Sequence, residues 1–86
     1  MFFVYVLKSI KDDQWYTGST NNLKRRIVEH NSGKSRSTKF RLPFTLIYYE
    51  AYISEKDAHK REHNLKLRAR ALTQLKKRLE DTSKSF

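Results

Sequence analysis

The sequence predicts an α+β fold whose elements follow the order β-β-α-β-α-α. Two runs predict strands, because residues 2–8 are apolar on both faces and residues 44–52 are rich in aromatic and β-branched side chains. The run Thr20-Asn21-Asn22 and Ser54 predict helix starts, since these residue types cap helices and each precedes helically spaced apolar residues. Three strands alone cannot bury an apolar face, so we expect the helices to cover the sheet.

Length and composition limit what the chain can be. Its 86 residues suffice for one small domain, which we place at residues 1–80, and residues 81–86 are predicted to form a frayed, disordered tail. The absence of cysteine excludes disulfides, thiolate nucleophiles and cysteine-ligated zinc. The first apolar run is too short for a signal sequence or a membrane span, so we expect a cytoplasmic protein with no membrane partner.

The charge of the chain predicts a polyanionic partner. Lysine and arginine number 19 against 9 aspartate and glutamate residues, which gives a formal net charge of +10. On so short a chain this excess favours nucleic acid first and an acidic membrane surface second. The alternative is a generally charged, solvated surface.

The first strand and a second strand at residues 14–18 are predicted to form a hairpin that turns about residues 10 and 11. This hairpin places Tyr5 and Tyr16 nearly opposite each other, close enough to share one site. Because the first strand is apolar on both faces, we expect it to be central in the sheet. Gly18 is predicted to end the second strand, where the missing Cβ lets the backbone turn and a ligand approach closely.

The first helix is predicted at residues 22–32, with Gly33 placed to end it in the left-handed conformation. Arg26 and His30, four residues apart, lie on or beside its apolar stripe. A guanidinium and an imidazole in such positions need partners or a ligand. In the alternative interpretation, Arg26 extends to solvent and His30 is a hydrogen-bonded boundary histidine.

A basic, serine-rich loop is predicted at residues 33–43, between the first helix and the third strand. This loop and the basic stretch at residues 76–78 are candidate phosphate contacts. The alternative is solvated surface charge. The cations of the loop are Lys34, Arg36, Lys39 and Arg41.

Two further helices are predicted at residues 55–67 and 70–80. Glu62 lies in the inward row of the first of them, although most residues around it are basic or polar. It either pairs with Lys66, one turn further along, or serves as a hard-oxygen ligand for a divalent cation.

Taken in chain order, these residues resemble the GIY-YIG nuclease domain. The resemblance rests on Tyr5, the Tyr16-Thr17-Gly18 motif, Arg26, His30 and Glu62, and it runs from Phe2 to about Leu79. More narrowly, the chain is similar to small stand-alone bacterial members and to the N-terminal domain of the excision-repair incision nuclease. Its most specific stretches are YTGSTNNLKRRIVEHNSG and AHKREHNLK.

The chain departs from the family pattern at three places. Phe3 and Val4 stand where the first motif has glycine and isoleucine, and Thr17 replaces the isoleucine of the second motif. Ser19 occupies the position at which repair-type relatives often carry lysine.

The resemblance implies a three-stranded antiparallel sheet flanked by helices, and phosphodiester hydrolysis with one divalent ion, Mg²⁺ or Mn²⁺. Glu62 would be the metal ligand, and Arg26 would hold the non-bridging phosphate oxygens. Tyr16 would position or deprotonate the attacking water with help from Tyr5, while His30 is the alternative proton acceptor or holds Tyr16. The candidate substrate contacts are Gly18, Lys34, Arg36, Lys39, Arg41 and Lys66.

We therefore expect a metal-dependent endonuclease that acts on DNA in repair or recombination. Branched, nicked or single-stranded DNA is the expected substrate, and RNA is not excluded as a substrate. A protein partner is a second expected source of selectivity, beside DNA shape. The alternative is a non-catalytic nucleic-acid-binding module on the same scaffold.

Overall fold

The computed structural model describes residues 1–84 of the chain. Its elements are β1 (Phe2–Ser9), β2 (Trp15–Thr20), α1 (Leu23–Asn31), β3 (Phe44–Tyr52), α2 (Glu55–Leu67), α3 (Ala69–Arg78) and α4 (Glu80–Lys84). The strands form one antiparallel sheet in the order β2-β1-β3, which confirms the predicted α+β class and the central position of β1. None of the helices in the described range has the length and apolar character to cross a membrane.

The hairpin between β1 and β2 has a different register from the predicted one. Tyr5 pairs with Gly18, and Tyr16 pairs with Leu7. The predicted register, which placed Tyr5 nearly opposite Tyr16, is therefore shifted by two residues. The turn is longer because the Ser9 amide donates to the Gln14 carbonyl at 2.9 Å, leaving four residues in the loop. A shift of two residues keeps every side chain on its face, so both tyrosines still lie on one side of the sheet.

The two faces of the sheet are covered by different helices. Val4 and Val6 of β1 face α2 and α3, in a core completed by Ile47, Ala58, Leu65, Leu75 and Leu79. Tyr5 and Leu7 face the other way, against α1 and the start of β3, in a core completed by Tyr16, Leu23, Ile27, Leu42, Phe44 and Leu46. The alternation of strand side chains thus separates an aliphatic core from one that contains the tyrosines.

Helix α1 is fixed at both ends. The Asn22 side chain accepts a hydrogen bond from the Arg25 amide at 3.0 Å, as expected for an N-cap. At the other end Gly33 has a φ of 78°, its amide donates to the His30 carbonyl, and the Lys34 amide donates to the Glu29 carbonyl. This Schellman motif confirms the predicted glycine cap and ends the helix just beyond His30.

The end of the chain differs from the predicted frayed tail. Residues 81–84 belong to α4, which continues from the buried Leu79. The Lys8 ammonium donates to the Ser83 carbonyl at 2.8 Å, and Glu80 and Asp81 lie in the first turn, where acidic side chains favour a helix. The last two residues of the predicted tail lie outside the described residues.

Candidate active site

Tyr5 is at the centre of the candidate site. Its side chain is buried, and its hydroxyl lies 2.9 Å from His30 Nε2. Burial raises the pKa of Tyr5 to about 12, although a hydrogen bond from Arg26 and the charge of that guanidinium lower it. The phenol is therefore protonated near neutral pH, and it acts as a hydrogen-bonding group rather than a base.

Gly18 lies directly opposite Tyr5 in the β1–β2 ladder. A Cβ at Gly18 would lie 2.4 Å from the Tyr5 hydroxyl oxygen and 2.6 Å from its ring. The prediction that Gly18 ends its strand is wrong, since β2 continues to Thr20. The space left by the missing side chain is filled by the Tyr5 phenol, which gives this glycine a packing reason that the sequence did not reveal.

Gly18→Ala should therefore destabilise the protein by about 1–3 kcal/mol, because the new methyl group overlaps a buried ring. Urea unfolding measures this change. The double variant Tyr5→Leu/Gly18→Ala is the control: with the phenol removed, the same methyl group should cost much less than it does beside Tyr5. Equal costs in the two backgrounds would contradict the proposed overlap.

His30 is fully buried and has a hydrogen-bond partner for each ring nitrogen. Nε2 contacts the Tyr5 hydroxyl, and Nδ1 lies 2.8 Å from Thr38 Oγ1. Its ring also packs edge-on against Tyr16 at a centroid distance of 5.0 Å. Burial first, and the charge of Arg26 second, lower the pKa of His30 to about 4, so the ring is neutral. Because His30 hydrogen-bonds the Tyr5 hydroxyl and packs its ring against Tyr16, it holds both tyrosine side chains in position.

The buried, neutral imidazole predicts a pH dependence of stability. The unfolded chain binds a proton on His30 below about pH 6.5, whereas the folded chain does so only near pH 4. The contribution of His30 to the free energy of unfolding is thus fully present above about pH 6.5. As the pH falls towards 4, this free energy should decrease by on the order of 3 kcal/mol. Urea unfolding of wild type and His30→Gln across this range measures it, and the two pH profiles should diverge. Parallel profiles would contradict the assignment.

Arg26 projects from α1 towards the two tyrosines. Its side chain is 31% exposed, and Nη1 of its guanidinium lies 3.9 Å from the Glu29 carboxylate. Burial opposes its charge, but Tyr5, Tyr16 and Glu29 together hold the pKa of Arg26 above its ordinary value. A guanidinium that is fixed on one side and partly open on the other is suited to bind an anion.

Glu62 lies where α2 passes the edge strand β2. Oε1 accepts a hydrogen bond from Ser19 Oγ at 2.6 Å, and Oε2 accepts one from Lys66 Nζ at 2.7 Å. Burial works against ionisation, but the bonds from Lys66 and Ser19 hold the pKa of Glu62 below its usual value. The carboxylate is therefore ionised, and its side chain is still 21% exposed.

Lys66 connects Glu62 to the tyrosine side of the sheet. Its ammonium lies 5.8 Å from the centroid of the half-buried Tyr16 ring while it hydrogen-bonds Glu62. The negative charge of Glu62 also helps to raise the pKa of the Tyr5 hydroxyl. Although α2 packs on the opposite face, Glu62 and Lys66 thus reach the β2 edge beside Tyr16.

Two of the predicted loop cations have other contacts. Arg41 Nε is 2.8 Å from Asp12 Oδ2, which ties the loop to the β1–β2 turn. Lys39 lies over the ring of Phe40, 4.9 Å from its centroid. Lys34 and Arg36 are exposed. Their role as substrate contacts stays a prediction.

Two residues of the site were missed by sequence reasoning. Ser19 holds the Glu62 carboxylate, and Thr38 holds the His30 ring. Ser19 carried a weak signal, since it directly follows the motif glycine. Thr38 carried none, because a threonine in a serine-rich loop is indistinguishable from its neighbours until the loop is folded.

The donor set around Glu62 suits a divalent ion that keeps most of its waters. Among residues 1–84, no group of three or more histidine, cysteine, aspartate or glutamate side chains could enclose a metal. A single ionised, partly exposed carboxylate fits Mg²⁺, which binds through one or two carboxylates together with substrate phosphates. The same set does not fit structural zinc, which needs four protein ligands.

Comparisons with known proteins agree with the fold. The GIY-YIG catalytic domain model matches residues 1–79. A UPF0213 protein of Staphylococcus haemolyticus is 43% identical over 65 residues, which cover 74% of this chain and 78% of the relative. UPF0213 protein YazA of Bacillus subtilis is 41% identical over 78 residues, which cover 90% of this chain and 74% of the relative.

A solved structure shows the same architecture. The solution NMR structure of a UPF0213 protein from Bacillus halodurans superposes with a TM-score of 0.54 at 41% identity, covering 87% of this chain and 82% of that one. The names of these relatives state no activity, whereas the matching domain is that of a nuclease family. The chain therefore belongs to the GIY-YIG family, and it is similar to the small UPF0213 proteins within it.

Proposed function

We propose that this chain is a divalent-metal-dependent endonuclease that hydrolyses phosphodiester bonds in DNA. One observation carries the proposal: a partly exposed guanidinium, Arg26, lies beside Tyr5 and Tyr16, and the ionised Glu62 reaches the same strand edge through Lys66. Phosphoryl transfer needs positive charge on the phosphate, an oriented water and a carboxylate for a metal. The family to which the chain belongs acts on DNA and generally depends on a divalent metal.

Each residue has a separate role in this proposal. The planar guanidinium of Arg26 would hold two non-bridging oxygens as negative charge builds on them. Tyr16 would position or deprotonate the attacking water. Tyr5, protonated near neutral pH, would donate to the phosphate or the water. His30 would be a positioning residue, because its ring is buried and both nitrogens are already bonded.

Glu62 would hold the divalent ion, with Ser19 fixing one carboxylate oxygen. When bound, a Mg²⁺ or Mn²⁺ ion there would supply Lewis-acid stabilisation of the departing 3′ oxygen. Lys66 donates a hydrogen bond to the second carboxylate oxygen, Oε2. Once Oε2 binds the metal ion instead, the Lys66 ammonium would be released to contact phosphate.

The positive surface would supply the affinity for DNA. With a net charge of +10, binding should weaken steeply as salt rises. We place the loop cations among the substrate contacts but leave out Gly18, because the Tyr5 phenol fills the space that a ligand would need. We propose a cytoplasmic role in repair or recombination with selectivity from DNA shape or a partner.

The direct test is to incubate purified protein with supercoiled, branched and single-stranded DNA, with Mg²⁺ or with chelator. We expect cleavage only with the metal and a preference for substrates with single-stranded or branched parts. Cleavage that chelator does not affect would contradict the metal dependence.

A second candidate, a non-catalytic nucleic-acid-binding module, is favoured by one observation. Both oxygens of Glu62 are already satisfied by Ser19 and Lys66, as they would be in a protein that never binds a metal there. DNA binding without any metal-dependent cleavage would support this alternative.

A further inference from the structure

Among residues 1–84, the Phe3 end of the sheet face that carries Tyr5 is left partly exposed to solvent. Helix α1 covers the Leu7 end, whereas Tyr49 at the other end is 53% exposed and Phe3 beside it is partly exposed. The Phe3 and Tyr49 rings meet edge-on with centroids 6.0 Å apart. Two neighbouring aromatic rings that are exposed on a sheet surface are typical of a binding site for another molecule.

The strand pairing places these rings next to the proposed phosphate site. Tyr49 pairs directly with Tyr5, and the Arg26 guanidinium is close enough to Tyr5 to lower the pKa of its phenol. Phe3 is two residues from Tyr5 on the same strand, and it therefore lies on the same face. Its partner across the β1–β3 ladder is Ala51, a side chain too small to cover the ring.

We propose that Phe3 and Tyr49 form a stacking platform for an unpaired nucleobase of the strand whose phosphate lies at Arg26. This inference rests on the proposed function and makes its substrate specific: DNA that is single-stranded next to the cut. Aromatic rings bind unpaired bases by stacking, whereas the stacked bases inside a duplex present no free face. The net charge of +10 favours a nucleic acid over a second copy of this basic chain as the occupant.

Phe3 also marks a difference between this chain and the family pattern. It stands where the first motif has glycine, so its ring is an addition next to the motif tyrosine. Among the described residues 1–84, Phe3 belongs to neither buried cluster. The platform gives this departure a function.

The test measures binding with chelator present, so that cleavage plays no part. The probes are a labelled single strand of about 12 nucleotides and the matching duplex, with the length taken from the usual span of one small binding domain. The variants are Phe3→Ala, Tyr49→Ala and Tyr49→Phe. Ile53→Ala is the matched control, because Ile53 is an 87% exposed apolar side chain just beyond β3.

Tyr49→Ala and Phe3→Ala should each weaken single-strand binding about 5- to 100-fold, while duplex binding stays the same. The salt dependence should not change, since neither residue contacts phosphate. Tyr49→Phe and Ile53→Ala should bind like wild type.

Three results would overturn the platform. One is unchanged single-strand binding in both alanine variants, and another is an equal loss on single strand and duplex. The third is a wild-type dimer in sedimentation that Tyr49→Ala dissociates, which would assign the face to a second copy. Failure of the wild-type protein to bind either probe would instead overturn the proposed function, and the platform with it.

Discussion

Glu62→Gln should reduce DNA cleavage by about a thousandfold or more, while the folded structure and DNA binding are kept. Glutamine retains an oxygen for the Ser19 hydroxyl but has no negative charge to hold a divalent ion. The pair with Lys66 is partly exposed, so its loss should change stability by less than about 1 kcal/mol. Cleavage rates at saturating Mg²⁺, urea unfolding and DNA binding in chelator measure the three effects separately.

Glu80→Gln is the matched control for this experiment, because Glu80 is an exposed glutamate on α4. It should cleave DNA at the wild-type rate. If Glu62→Gln and the control cleave equally well, the carboxylate is not a metal ligand. If no protein in the series cleaves DNA above background, the binding-module alternative gains support.

Arg26→Lys should lower kcat by about 10²- to 10³-fold, with a much smaller effect on DNA binding. Lysine keeps the charge, but its single ammonium cannot form the two parallel hydrogen bonds that a guanidinium makes with a phosphate. It also loses the fixed orientation that the contacts with Tyr5 and Glu29 provide. Single-turnover cleavage and binding by anisotropy separate the two effects.

Helix α1 offers a close control in the neighbouring residue. Arg25 lies 3.8 Å from the same Glu29 carboxylate, but its side chain is 62% exposed, against 31% for Arg26. Arg25→Lys should leave kcat unchanged. Equal losses in the two variants would mean that α1 contributes general positive charge rather than a positioned guanidinium.

Local sequence was enough to predict most of the architecture. The apolar character of residues 2–8 on both faces predicted a central strand, and β1 is central. The run Thr20-Asn21-Asn22 and Gly33 predicted the two ends of α1, and Asn22 and Gly33 make the expected cap contacts. These features depend on residues within a few positions of one another, so their physical basis is contained in short stretches of chain.

The hairpin register shows where local reasoning failed. The polar turn was recognised, but its length was not, because Ser9 also accepts hydrogen bonds from the Lys11 and Asp12 amides and so enlarges the turn. Tyr5 consequently faces Gly18 instead of Tyr16. The role of Gly18 in accommodating a ring depends entirely on that pairing.

By itself, the sequence determined the order of strands and helices, the excess of positive charge and the residue types available for chemistry. Only the tertiary structure decided which side chains meet: Ser19 with Glu62, 43 residues apart, and Tyr5 with His30, 25 residues apart. It also decided that the Phe3 and Tyr49 rings stay uncovered beside Tyr5. The physical reason is that propensity and capping act between neighbours in the chain, whereas a site forms where separate elements pack against each other.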